Sequence, residues 1–343
     1  VANEGAVFLN PFTAAPSCTP SRAAILTGRF PHELEQGVNL WGYLPKKFEN
    51  YSEILQADGY HVGLTGKGWG PGNFKAGGYA HNPAGKSYKS FAAFISDKPA
   101  AKPFCFWFGS QNPHRPYALG SGIAAGMKAD QVKVPGWLPD TPEVRNDILD
   151  YYFEVEKFDR EFGEILANLK ASGEYENTLI IITGDNGMPF PRAKANLYDA
   201  GSKIPLNISL PGAIEAMKIE EFVSLTDLAP TILEVCGQKA RDGMSGSSLW
   251  PLLRRQSVTD REVVFTERER HANVRNPEMG YPSRAIRTKD YLYIRNYEPD
   301  RWPAGDPELY HSVGPYGDVD ASPSKQYILQ NRNEPAVAAF FKS

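Results

Sequence analysis

Short, unbroken apolar runs alternate along this chain with stretches in which apolar residues recur every three or four positions. The run at 178–183 (Thr-Leu-Ile-Ile-Ile-Thr) is β-branched and continuous, the pattern of a strand buried on both faces. Residues 61–65, 103–108 and 221–225 have the same character and predict three further strands. Between the runs at 103–108 and 178–183 lies the clearest helix, over 142–172. Thr141 is suited to cap it, Pro142 to its first position and Gly173 to its end. Ile148, Tyr152, Val155, Phe162, Leu166 and Leu169 are spaced to form one buried stripe along it. Strands alternating with helices predict an α/β fold, a mixed and mostly parallel sheet between helix layers. After about Arg261 the texture changes to short strands at 262–266, 283–288 and 291–296 with Pro- and Gly-rich turns. This predicts a small antiparallel-sheet subdomain over 261–343, behind a main domain over 1–260.

Composition narrows the function classes. A length of 343 residues with 41% apolar content supports a large core, and a net charge of −3 gives no basic field to draw the chain to nucleic acid or membrane. No apolar run reaches the roughly 20 residues of a membrane span. Three cysteines (18, 105 and 236) make no disulfide framework, and 105 and 236 sit in apolar runs that read as core. Recognition of an anionic substrate must come from local clusters of Lys and Arg.

The candidate chemistry lies at the ends of the strands, where open α/β sheets bind ligands. The run at 61–65 leads into Gly66-Lys67, and the run at 103–108 into Gly109-Ser110-Gln111-Asn112-Pro113-His114. The run at 178–183 leads into Gly184-Asp185-Asn186-Gly187. Asp185 and Asn186 offer adjacent oxygen donors suited to a hard cation such as Ca²⁺ or Mg²⁺, although the same tetrapeptide also makes a plain turn. His61 and Gly68 depart from a phosphate-binding loop around Lys67, so that reading is rejected. Cys18 opens the run Cys-Thr-Pro-Ser-Arg-Ala-Ala-Ile-Leu-Thr-Gly-Arg, a turn before a helix-forming stretch. Uncapped backbone N–H groups and the helix dipole at such a place suit a nucleophile attacking an anionic ester. A buried structural cysteine is the alternative.

The run from Cys18 to Arg29 is similar at every defined position to the Cys-x-Pro-Ser-Arg-x-x-x-Leu-Thr-Gly-Arg signature of the type I sulfatases, enzymes with an alkaline-phosphatase-like fold. The resemblance implies that Cys18 is converted to Cα-formylglycine by a formylglycine-generating enzyme, and that Arg22 fixes the hydrate. It implies that Asp185, Asn186 and residue 18 bind Ca²⁺ (or Mg²⁺) together with an Asp-Asp pair from a first strand. By position, Lys67, His114 and Lys194 resemble the residues that hold the sulfate oxygens and protonate the leaving group; Lys194 otherwise reads as a solvated loop lysine. Two departures stand out. Trp69 occupies the place of a family His and is expected to form an apolar wall of the substrate pocket. The chain opens at 1–8 on what reads as the end of the first helix, so the Asp-Asp strand is expected to lie upstream in a longer product.

Residues 185–191 (Asp-Asn-Gly-Met-Pro-Phe-Pro), followed by Asn196-Leu197-Tyr198, resemble the heparan N-sulfatase branch. This implies a sulfuric ester or sulfamate hydrolase of sulfated carbohydrate, in a periplasmic, secreted or lysosomal-type compartment. Arg270 and His271, within the Arg268-Glu269-Arg270-His271…Arg275 cluster, are candidates to read the sugar's other charges, with Arg284 and Arg301 behind them; an exposed mixed-charge loop is the alternative. A phosphonate monoester or phosphodiester hydrolase of the same superfamily, and a metal-less glycan-binding relative, remain alternative functions.

Overall fold

The computed structural model describes residues 3–256, 261–310 and 314–342. Its strands are β1 (Ala6–Phe12), β2 (His61–Gly66), β3 (Lys86–Ser87), β4 (Phe104–Gly109), β5 (Ile180–Thr183), β6 (Leu206–Ser209), β7 (Met217–Ser224), β8 (Val263–Arg268), β9 (Ser283–Thr288) and β10 (Leu292–Asn296). The α/β core is present, with its strands divided between two hydrogen-bonded sheets. One has the order β5-β6-β1-β7, in which only β6 runs against the others; the second, β3-β2-β4, is parallel throughout. The third sheet, β10-β9-β8, is antiparallel and matches the expected C-terminal strands. The expected boundary at 260/261 borders residues 257–260, which lie outside the described residues.

The helices are α1 (Cys18–Thr27), α2 (Tyr51–Ala57), α3 (Phe91–Asp97), α4 (Ser121–Ala124), α5 (Pro142–Ala171), α6 (Asp199–Ser202), α7 (Leu228–Val235), α8 (Trp250–Leu253), α9 (Pro323–Gln330) and α10 (Pro335–Lys342). Every residue of α1 is buried. Ala23 and Ala24 let it pack closely, while Ile25 and Leu26 each contribute on the order of 2 kcal/mol of burial. Gly28 ends it in the left-handed conformation, its N–H donating to the Ala24 carbonyl at 2.9 Å.

Three expectations need correction. The opening residues form β1, an interior strand of the four-stranded sheet, and not the end of a helix. Pro11 lacks an N–H, and the pairing with β7 shifts register between Phe8 and Asn10, so β1 has no clean strand signature. The run at 178–183 is an edge strand paired antiparallel to β6, and three of the four β5 residues are only half-buried. On α5 the cap, first proline and terminal glycine are as expected, with Thr141 Oγ1 accepting from Val144 N at 3.4 Å and Gly173 at φ +77°. Tyr152 and Val155, however, are exposed. The buried face instead carries Val144, Asp147, Ile148, Leu149, Asp150, Glu154 and Leu169, because α5 buries acids that bind neighbouring loops.

The ends of β2 and β4 meet at a point where no side chain fits. Gly66 has φ +75°, and a Cβ there would stand 2.1 Å from the Gly109 carbonyl oxygen. That carbonyl accepts from Lys67 N at 2.7 Å. Gly66→Ala is therefore expected to destabilise the fold by about 2 kcal/mol or more. Urea denaturation checks this, and an unchanged midpoint would show that the turn tolerates a side chain.

Candidate active site

Four strand ends deliver the candidate residues to one place. The loop after β1 leads to Cys18, the turn after β2 to Lys67, the loop after β4 to His114 and the end of β5 to Asp185 and Asn186. Arg22 binds three of these together. Its Nε donates to Asp185 Oδ2 at 2.6 Å, and one terminal nitrogen donates to the carbonyls of Lys67 (2.6 Å) and Gly68 (2.9 Å).

Cys18 opens α1 and is 4% exposed. Ser17, the residue before it, offers the helix no side-chain cap; its hydroxyl is hydrogen-bonded to His271 Nδ1 at 2.8 Å. The first N–H groups of α1 thus keep their donor capacity at the place where Cys18 sits. Asn186 Nδ2 lies 3.8 Å from Cys18 Sγ and also donates to Asp185 Oδ1 at 2.9 Å. Burial and the Asp185 carboxylate push the thiol up, but Lys194, a hydrogen bond with His114 and Lys67 outweigh them and bring it from 9.0 to about 6. Burial likewise pushes Asp185 up, yet Arg22, Lys67 and Lys194 hold it below the usual carboxylate range. The residue at position 18 therefore sits in a locally positive field despite the acidic chain as a whole.

His114 is exposed at the rim, and its Nδ1 donates to the Arg115 carbonyl at 2.5 Å. In the neutral ring this leaves Nε2 as the nitrogen without a proton. The loop that carries it is anchored by Arg115, whose guanidinium makes two bonds to Asp147 on α5 (2.7 and 2.8 Å) and lies over Tyr117 and Phe190. Lys194 is no solvated loop lysine. It is 6% exposed, and its ammonium donates to Asp320 Oδ2 at 2.7 Å. Burial would push it down, but Cys18, Asp320 and Asp185 raise it above its ordinary value.

Trp69 does not stand exposed as an apolar wall. It is 3% exposed within the main core, beneath the turn at Gly72, where an added Cβ would meet its ring at 2.7 Å. The Arg268–Arg275 cluster is no exposed loop. Arg268 and Arg275 both donate to buried Asp318, and His271 is 4% exposed against Ser17. Arg270 is half-buried, reaches the Leu40 carbonyl at 3.5 Å and lines a cavity of about 330 Å³ with His32, Asn39, Glu269 and Glu278. Arg284 is paired with Glu267 and Glu269, and Arg301 with Glu298. Sequence reasoning missed Ser17, Arg115, Asp147, Asp318 and Asp320. Of these, only Arg115 carried a local signal, its place beside His114.

Asp185 and the Asn186 amide oxygen are hard donors beside residue 18, the donor chemistry a Ca²⁺ or Mg²⁺ ion takes. They fit part of such a shell; among the described residues there is no group of three or more His, Cys, Asp or Glu side chains that could hold an ion.

The family profile described as sulfatase matches residues 1–238, and that of the C-terminal part of N-sulphoglucosamine sulphohydrolase matches 192–311. An ulvan-active sulfatase of Formosa agariphila is 30% identical over 313 residues, covering 87% of this chain and 60% of its own. N-sulphoglucosamine sulphohydrolase of Homo sapiens is 28% identical over 345 residues, covering 86% and 67%. The structure of a phosphonate monoester hydrolase of Agrobacterium radiobacter superposes with a TM-score of 0.68 at 16% identity, covering 86% of this chain and 81% of that one. The shared architecture is the alkaline-phosphatase-like one. The chain spans 60% and 67% of the length of these two curated relatives, the ulvan-active sulfatase and N-sulphoglucosamine sulphohydrolase, and 56% of one further ulvan-active sulfatase.

His271 gives the site a pH signature. Burial, with Lys194 next, lowers its pKa from 6.5 to about 4, while Asp318 and Asp320 act in the opposite direction and Arg268 adds to the lowering. Above pH 6.5 the ring is neutral whether the chain is folded or not. As pH falls from 6.5 to about 4, the unfolded chain binds a proton that the folded chain does not, so about 3 kcal/mol of stability is lost. Denaturation across this range in the native chain and in His271→Asn should show a shallower pH dependence in the variant. Equal slopes would contradict the neutral, buried ring.

Proposed function

The chain belongs to the sulfatase family, and on that premise we propose that it hydrolyses the sulfuric ester or sulfamate of a sulfated carbohydrate, using a formylglycine made from Cys18. The observation that carries this reading is the buried start of α1, where residue 18 has Lys67, His114, Lys194 and the Asp185–Asn186 pair as its electrostatic and hydrogen-bonding neighbours. Its maturation partner is a formylglycine-generating enzyme, and its compartment one of the secretory or periplasmic type.

A formylglycine at 18 supplies an oxygen nucleophile in place of the thiol, and a divalent cation held by Asp185 and Asn186 supplies further positive charge. The rest is done by the chain itself. The Lys67 and Lys194 ammonium groups neutralise the negative charge on the sulfuryl oxygens. His114, with Nδ1–H committed to a backbone carbonyl, gives a proton from Nε2 to the departing oxygen or nitrogen when its ring is the imidazolium. Arg22 keeps Asp185 ionised and fixed, so the donors stand in place before substrate arrives.

Co-expression with a formylglycine-generating enzyme, mass spectrometry of the Cys18 peptide and paired assays with aryl sulfate, sulfamate and phosphonate ester test this reading. The expected result is a peptide mass for the aldehyde or its hydrate, turnover of the sulfur substrates and at least a 10³-fold loss in Cys18→Ala. An unmodified thiol, or a clear preference for the phosphonate, overturns it.

A further inference from the structure

The position of Lys194 is set from the far end of the chain. Lysine has four rotatable bonds, and holding its ammonium at one point costs rotamer entropy that a fixed partner must offset. Asp320 is that partner, at 2.7 Å, with about a quarter of its side chain still exposed. The segment that carries it is itself pinned. Asp318 accepts from Arg268 and Arg275 and from the Ala272 N–H at 3.0 Å. Lys325 Nζ donates to the carbonyls of Tyr316 (2.9 Å) and Val319 (2.8 Å). Ser324 Oγ donates to Asp147 Oδ2 at 2.6 Å, and Asp147 is the carboxylate that anchors Arg115 beside His114.

A carboxylate so close to an anion-binding site carries a cost. By charge alone it repels a sulfuryl group, and its removal would tighten anion binding. Its presence is accounted for if holding the lysine outweighs that repulsion. We propose that Asp320 is a positioning residue that fixes the Lys194 ammonium beside residue 18, so that the segment around 318–320 sets one of the two lysine cations of the site. This rests on the proposed function for its catalytic consequence but not for the placement of Lys194. Burial pushes the Asp320 carboxyl up, and Lys194, by its charge and its hydrogen bond, keeps it below the usual range and ionised.

The test is a double-mutant cycle in the full chain, with Asp320→Asn, Asp320→Glu, Lys194→Ala and the double variant Lys194→Ala/Asp320→Asn. Asp320→Asn keeps size and an acceptor oxygen while removing the charge. It is expected to raise KM for aryl sulfate at least fivefold and lower kcat/KM by about 10–100-fold, with partial rescue by Asp320→Glu. In the Lys194→Ala background the same change should add no further loss. A tighter KM in Asp320→Asn, or losses that simply multiply in the double variant, overturns the proposal. Reductive methylation read by mass spectrometry supplies a measure independent of activity. Lys194 should be labelled at least tenfold faster in Asp320→Asn, with Lys325 unchanged. If the native chain turns over no sulfate ester, the functional reading fails by itself, and the labelling decides the placement: an unchanged Lys194 rate overturns it.

Discussion

The fold around the site depends on the guanidinium of Arg22. It rises from a helix with no exposed residue, and it reaches the carboxylate at the end of β5 and two consecutive backbone carbonyls after β2. One planar group with donors in fixed directions thus sets the spacing between two sheets that share no hydrogen-bonded strand. A lysine has the charge but not the fork, and could not satisfy the carboxylate and the carbonyls together. The burial of α1 gives the fork its precision, since Ala23, Ala24, Ile25 and Leu26 leave the helix no room to roll.

A second layer of fixation comes from the C-terminal part. Glu267 N donates to the Ala14 carbonyl at 2.8 Å, His271 meets Ser17, and Asp320 meets Lys194. The C-terminal part therefore touches the active loop at two points just before Cys18, as well as the lysine opposite. Each contact joins groups more than a hundred residues apart, so none forms for local reasons. The apolar contribution at that junction is small, with Phe12, Phe222 and Val264 forming their own cluster. The polar contacts fix the orientation.

Much of this was legible in the sequence because the signals were local. β2, β4 and β9 lie where their apolar runs predicted, and α5 begins and ends on its cap, proline and glycine. Cys18, Arg22 and the Asp185–Asn186 pair fall in continuous motifs and are brought together in space. What escaped was tertiary. β1 hides behind Asn10-Pro11, which breaks its apolar run, and is a strand only because β6 and β7 flank it. Tyr152 and Val155 fit a helical stripe whose opposite face is occupied by acids serving distant loops. Asp318 and Asp320 are two acids in an irregular stretch, with nothing nearby to mark them; only folding gives them their partners. Trp69 was read by analogy of position, whereas the space beneath Gly72 decides its place.

The depth of Cys18 bears on the order of events in the life of the chain. Its sulfur lies at the start of a wholly buried helix, beneath a loop hydrogen-bonded to another sheet. A protein-sized catalyst needs several residues of extended chain in its own cleft, and the folded molecule offers none here. Any enzyme that alters this side chain must therefore reach it while the segment is still unfolded, which makes the timing of folding, and not only the motif, a determinant of whether position 18 is altered.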